Sequence, residues 1–332
     1  IKAAGILMLF LFIKSREDLL LYVGLIAATG FLGNLSMWGY LRHFLVRVDW
    51  RALKIRRHFK ETLVYFVPTI ATSVYTILDK TMLGWFTGGD KTQNGYYEYA
   101  TGFVNMAKIL ILSYNAVVSA RMSYLFGEGR LEEIHRRVEE SLNFVMLLGI
   151  PMAAGLAGIG PCFVPWFLGA GYEPVITLLY VCSPLVLVVG LSDCMGSLIL
   201  TPSGQRARSG KVIIAGAVLN CILNLLAIPR FGAAGAAGAS VAAEVFITSL
   251  YLYLCRGYIS RSLLVQCAAK RLAAAALMFA LVRALGGVLG AGPAATFLQV
   301  GAGACVYFLF LLLAGDRFLR ERIRDILRKK RK

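Results

Sequence analysis

Stretches of about 20 apolar residues recur along the whole chain, each long enough to cross a bilayer as a helix. Nine complete stretches cover roughly 19–40, 63–86, 97–120, 141–160, 174–199, 212–229, 235–255, 271–289 and 295–314, and a partial one ends near Ile13. In hydrocarbon every backbone N–H and C=O must be bonded internally, so a chain of this kind folds as a bundle of spanning helices. Hydrophobic residues make up 58% of its 332 and charged residues 16%. A soluble domain carries about 25% charged residues. A soluble enzyme, a disordered chain and a disulfide-stapled secreted domain are thereby excluded. The expected fold class is all-α, a polytopic membrane bundle with about ten spanning helices.

The net charge of +17 could suggest nucleic acid. Its distribution argues otherwise. With the C-terminus on the cytoplasmic side, residues 41–61, 121–140, 201–211, 256–271 and 316–332 carry seven, four, three, four and nine Lys/Arg, 27 in all. The opposite side carries five: Lys14, Arg16, Lys91, Arg230 and Arg283. This alternation at every loop is the positive-inside pattern. The charge faces the anionic inner leaflet, and no nucleic-acid partner is needed to explain it. Residues 41–61 and 316–332 also space apolar residues at helical intervals, which predicts interfacial helices.

Several spans carry polar stripes. Thr69, Thr72, Ser73, Thr76, Asp79 and Lys80 share one face of a helix, as do Thr101, Asn105, Lys108, Asn115 and Ser119 of the next. Ser240, Glu244 and Thr248 are four apart, as are Asn220 and Asn224; Ser192, Asp193 and Ser197 form a weaker stripe. Ionisable groups at mid-membrane normally face a bundle interior or a watery cavity. Lys108 lies twelve residues past Tyr96, about 18 Å below the outer boundary at 1.5 Å per residue. It reads either as a cavity cation or as half of a structural ion pair with Glu244 or Asp193. Lys80 is near enough to the outer end to snorkel. Asn220 and Asn224 read as interhelical glue, and the small residues from Gly232 to Ser240 as a close-packing surface. The seven cysteines lack any CxxC spacing, and His43, His58 and His135 lack ligand spacing, so no metal site is expected. There is no GxSxG, Walker loop or HExxH.

PTIATSVYTILDKTMLG at 68–84, followed by Gly95-Tyr96-Tyr97, resembles the lipid-linked polysaccharide flippases of the multidrug/oligosaccharidyl-lipid/polysaccharide exporter superfamily. FLGAGYEPVITLLYVCSP at 167–184 and PRFGAAGAAGASVAAE at 229–244 are similar to them too. The resemblance spans essentially the whole chain. It implies a two-lobed, inverted-V transporter with six helices per lobe. Residues 1–40 are then the last two helices of the N-terminal lobe, and 41–61 a basic inter-lobe linker. The C-terminal lobe is 62–255, two appended helices occupy 256–315, and 316–332 is a basic tail. Ile1 is not Met, and the first residues read as the later part of a helix, so a chain lacking about four N-terminal helices is expected.

The resemblance further implies a multi-pass protein of the bacterial plasma membrane. It would move undecaprenyl-diphosphate-linked oligosaccharide to the outer leaflet by alternating access, for O-antigen or capsule assembly. Lys108 and Lys80 would contact the anion; Asp79, Asn105, Thr101, Asn115, Thr72 and Thr76 would line the substrate cavity. Asp79 would pair with Lys80 or with a lysine of the missing N-terminal lobe. Glu244 or Asp193 would carry a coupling proton or sodium ion. No cofactor is needed, and a polysaccharide polymerase is an expected partner. A drug/cation antiporter of the same superfamily is the nearest alternative, because Glu244 and Asp193 would suit a cation. A membrane polymerase or ligase, an enzyme, would want larger outer loops than this chain has.

Overall fold

The computed structural model describes residues 1–41, 43–45, 55–259 and 261–330. It is 88% helical, with no strand among the described residues, as the apolar windows predict. The chain forms two compact units, Ile1–Phe59 and Lys60–Lys332.

In the first unit, α1 (Lys2–Phe12) and α2 (Leu19–Leu41) are joined by a turn at Arg16–Asp18. Asp18 closes that turn by accepting the backbone N–H groups of Lys14 at 3.0 Å and Ser15 at 2.9 Å. These bonds hold its carboxyl below the usual carboxylate range. Gly5 packs against Thr29, too close for any side chain. The interfacial helix expected over 41–61 falls largely outside the described residues.

The helices that follow are α3 (Ile55–Phe86), α4 (Lys91–Gly127), α5 (Leu131–Phe167), α6 (Glu173–Cys182) and α7 (Leu185–Met195). Then come α8 (Arg206–Leu254), α9 (Arg261–Leu289), α10 (Pro293–Leu313) and α11 (Arg317–Lys330). Asp90 caps α4 by accepting the Thr92 N–H at 2.9 Å; the Thr92 hydroxyl and N–H hold its carboxyl low. One core gathers α4–α8 with the end of α3, around Leu83, Ile111, Leu142, Leu179 and Leu198. A second gathers α5, α9 and α10 around Ala274, Met278, Tyr307 and Leu311. At Gly190 an added Cβ would lie 2.9 Å from Ile111 and 3.1 Å from Val145, so glycine lets α7 approach α4 and α5.

Among the described residues seven helical segments are long and apolar enough to cross a membrane, and the chain is a multi-pass membrane protein. The larger expected number has two physical sources. The 49 residues of α8 would extend about 74 Å if straight, more than twice a bilayer core. They bend at Gly232, whose φ of 54° and ψ of −131° suit only glycine, and so form two spans. The 11 residues of α1 are too few to span and match the partial stretch that ends near Ile13. Past Met195 the helix widens into a π-turn, Gly196–Leu200, with the Thr201 N–H bonded to Gly196 O at 3.0 Å.

One buried ion pair fixes the C-terminal end. Arg271 is fully buried and donates through Nε to Asp316 Oδ2 at 3.1 Å and through Nη1 to Asn143 O at 2.9 Å. Asp316 also accepts the Leu319 N–H at 3.0 Å, which caps α11. In the sequence Arg271 counted only as one more loop charge.

Candidate functional site

The polar stripes of α3, α4, α7 and α8 converge within the second unit. They line two adjoining cavities of about 430 and 150 Å³, which share Tyr75, Thr76, Lys108, Val189 and Glu244. The larger has the size of an ordinary ligand pocket. Its walls also include Thr72, Ser192, Asp193, Ser197, Thr201 and Arg206. The smaller is walled by Asp79, Lys80, Tyr97, Glu98, Thr101, Asn105 and Ser240 as well. The helical periodicity that aligned these residues on single faces is the reason they meet: each helix turns its apolar arc outward and its polar arc to the cavity.

Lys108 lies at the junction of the two cavities. Among the described residues no carboxylate oxygen lies within 4.0 Å of its ammonium, so it forms no contact ion pair there. Glu244 Oε1 instead accepts the Tyr75 hydroxyl at 2.7 Å. Asp193 Oδ2 accepts the Asn115 amide at 2.9 Å, and the same amide reaches Gly190 O at 3.3 Å. Asn115 is therefore buried behind the wall and holds a residue that faces the cavity.

Asp79 is 2% exposed and bonded only to neutral donors. Its Oδ1 accepts the Asn224 amide at 2.5 Å, and its Oδ2 accepts the Ser240 hydroxyl at 2.7 Å and the Tyr97 hydroxyl at 3.0 Å. Asn224 also donates to Asn220 Oδ1 at 3.0 Å. This cluster ties α3 to α4 and to both halves of α8. Lys80, the expected partner of Asp79, pairs with Glu98 on α4 and is well exposed. The i, i+1 spacing explains the difference, since neighbours on a helix point about 100° apart.

The other stripe residues divide the same way. Thr72, Thr76, Thr101 and Asn105 line the cavities. Thr76 and Thr101 also bond back to carbonyls of their own helices, Thr76 to Thr72 O at 3.1 Å and Thr101 to Tyr97 O at 2.8 Å. Tyr75, Tyr251 and Arg206 are not among the residues that the stripes single out. Tyr75 lies three residues past Thr72 and four before Asp79, on the same face, and its hydroxyl was the available signal. Arg206 was counted with a loop, yet its Nη1 donates to Thr201 Oγ1 at 3.2 Å on the cavity wall. Among the described residues no group of three or more His, Cys, Asp or Glu could hold a metal.

No family model matches the chain. It is similar to two bacterial proteins named "Putative O-antigen transporter". It is 24% identical to the one from Shigella dysenteriae over 260 residues, 76% of this chain and 62% of that protein. It is 22% identical to the one from Escherichia coli K12 over 249 residues, 74% of this chain and 59% of that protein. An uncharacterized membrane protein of Methanocaldococcus jannaschii is 27% identical over 188 residues, 55% of this chain and 36% of that protein. Among solved structures, the lipid II flippase MurJ in its inward closed conformation matches with a TM-score of 0.66. The identity is 16%, over 91% of this chain and 65% of that one. The chain shares that fold and spans about three fifths of the length of its O-antigen relatives. These relatives agree with the polysaccharide-flippase resemblance of the sequence.

Proposed function

We propose that this chain belongs to a flippase that carries undecaprenyl-diphosphate-linked oligosaccharide across the bacterial plasma membrane by alternating access, for cell-surface polysaccharide assembly. The observation that carries this reading is Lys108: a cation at mid-span, on the wall of a polar cavity, with no contact carboxylate among the described residues. An anionic head crossing hydrocarbon bare faces a prohibitive cost. An ammonium with surrounding hydroxyls and amides replaces its water, while the lipid tail stays in the bilayer. The names of the relatives, O-antigen transporter and lipid II flippase, support the same substrate class.

In this reading Lys108 meets the anion. Thr72, Thr76, Thr101 and Asn105 meet sugar hydroxyls, and Lys80 with Glu98 lies at the outer rim. Glu244 and Asp193 are the candidate carriers of a coupling proton or sodium ion, because both face the cavity that holds Lys108. Residues 62–255 form the C-terminal lobe, the C-terminus is cytoplasmic, and a polymerase receives the product. The protein transports its substrate without making or breaking bonds in it. An antiporter for cationic drugs would instead need carboxylates open to the cavity; here Glu244, Asp193 and Asp79 each accept from a neutral donor, and Glu98 pairs with Lys80.

The test is lipid analysis. Depletion of the full-length protein in its source cell, followed by mass spectrometry of extracted lipids, is expected to reveal one complete lipid-linked repeat unit accumulating on the inner leaflet. No accumulation, with new sensitivity to cationic drugs, would replace this reading by the antiporter.

A further inference from the structure

Lys108 and Glu244 line the same two cavities. Two opposite charges in a poorly solvated cavity ordinarily close to contact, because their attraction grows as water is excluded. Here they do not. The Glu244 carboxylate is taken by the Tyr75 hydroxyl at 2.7 Å. The other carboxylate on the wall of the larger cavity, Asp193, is taken in the same way by the Asn115 amide at 2.9 Å. In both cases the partner is a neutral donor, which satisfies the carboxylate without cancelling a positive charge.

We infer that Tyr75 is a specificity-determining positioning residue: by binding Glu244 it keeps the Lys108 ammonium open to an anionic oxygen group of the substrate. The inference rests on the anionic-substrate reading above. Without the hydroxyl, Glu244 loses its bonded partner, and Lys108 is the cation that lines both cavities with it. The carboxylate would then compete with the substrate as an internal anion. Tyr75 thus acts through Glu244 and need not touch substrate. The anion could be a phosphate or the carboxylate of an acidic sugar, and the two are separable by probe.

The experiment uses the purified full-length protein in lipid nanodiscs, with inorganic pyrophosphate and glucuronate as separate probes measured by calorimetry. Tyr75→Phe removes one oxygen and is expected to weaken binding of one probe about tenfold, the worth of a bond to a charged group. Glu244→Gln is expected to bind at least as tightly as wild type. The double variant Tyr75→Phe/Glu244→Gln is expected to recover to within about twofold of Glu244→Gln, because the competing charge is gone. The probe that responds identifies the anion source.

A Tyr75→Phe protein that binds both probes as wild type does would overturn the inference. So would a double variant as weak as Tyr75→Phe alone, since that marks a structural tyrosine or one that touches the anion. Wild-type protein that binds neither probe also overturns it. Failure of the flippase reading is separate: it appears as unchanged cellular lipids, and the nanodisc result stands without it.

Discussion

Asp79 and Ser240 stand 161 residues apart in the chain, and their side chains meet at 2.7 Å. The bond joins α3 to the second half of α8. Asp79 also takes Tyr97 and Asn224, so its loss would remove three buried hydrogen bonds. Hydrogen bonds between membrane helices contribute roughly 0.6–1.7 kcal/mol each. Asp79→Ala should therefore destabilise the protein by about 2–4 kcal/mol. Asp79→Asn, which keeps one acceptor oxygen, should cost less. Thermal unfolding in detergent checks this, and an unchanged midpoint for Asp79→Ala would remove the ordering role.

Lys108→Ala should lower export of an anionic lipid-linked oligosaccharide at least about tenfold, while membrane insertion stays intact. Lys108→Glu should export less still, because a like charge repels the head as well as failing to bind it. Export assays at matched membrane levels separate the readings. Equal activity of the two variants would assign Lys108 to packing, and normal export by Lys108→Ala would end its cavity role.

Arg271 and Asp316 form a pair that is buried on both sides, at 3.1 Å. Removing one partner strands a charge, so Arg271→Met should cost about 3–5 kcal/mol. Arg271→Met/Asp316→Leu should recover part of that loss, since no buried charge remains. Limited proteolysis of α11 reports the effect: release of the C-terminal helix is expected first in the single variant. Equal protection of α11 in wild type and Arg271→Met would show that the pair does not hold the helix.

Gly232→Ala should destabilise by about 1–3 kcal/mol, because a side chain is strained in this backbone conformation. The added Cβ would also lie 3.1 Å from Gln93 Oε1, which accepts the Ala233 N–H at 3.2 Å. Glycine there sets the bend between two spans. An Ala variant that unfolds at the wild-type temperature would show that the bend can relax.

Orientation is checked with a cysteine at Lys91, an exposed position at the start of α4. In a background cleared of native cysteines it should react with an impermeant thiol reagent in intact cells. Labelling only after lysis would reverse the topology read from the charges.

The sequence by itself determined the all-α membrane fold. Hydrocarbon forces every backbone group into a helix, and the length of each apolar window reports a span. It also determined which residues share a face, because 3.6 residues per turn fixes the stripes on α3, α4 and α8 before any packing occurs. Only the tertiary structure decided the partners. Periodicity is blind to what lies across a gap: it could not tell that Asp79 meets Ser240 and Asn224 rather than Lys80, that Tyr75 takes Glu244, or that Arg271 leaves its loop to bury itself on Asp316. Those pairings depend on helix rotation and close approach, which glycines such as Gly190 allow and which arise from the fit of several helices at once. The charge that distinguishes the cavity was legible as Lys108 in one helix. That it lies clear of the carboxylates around it is a property of the assembled bundle.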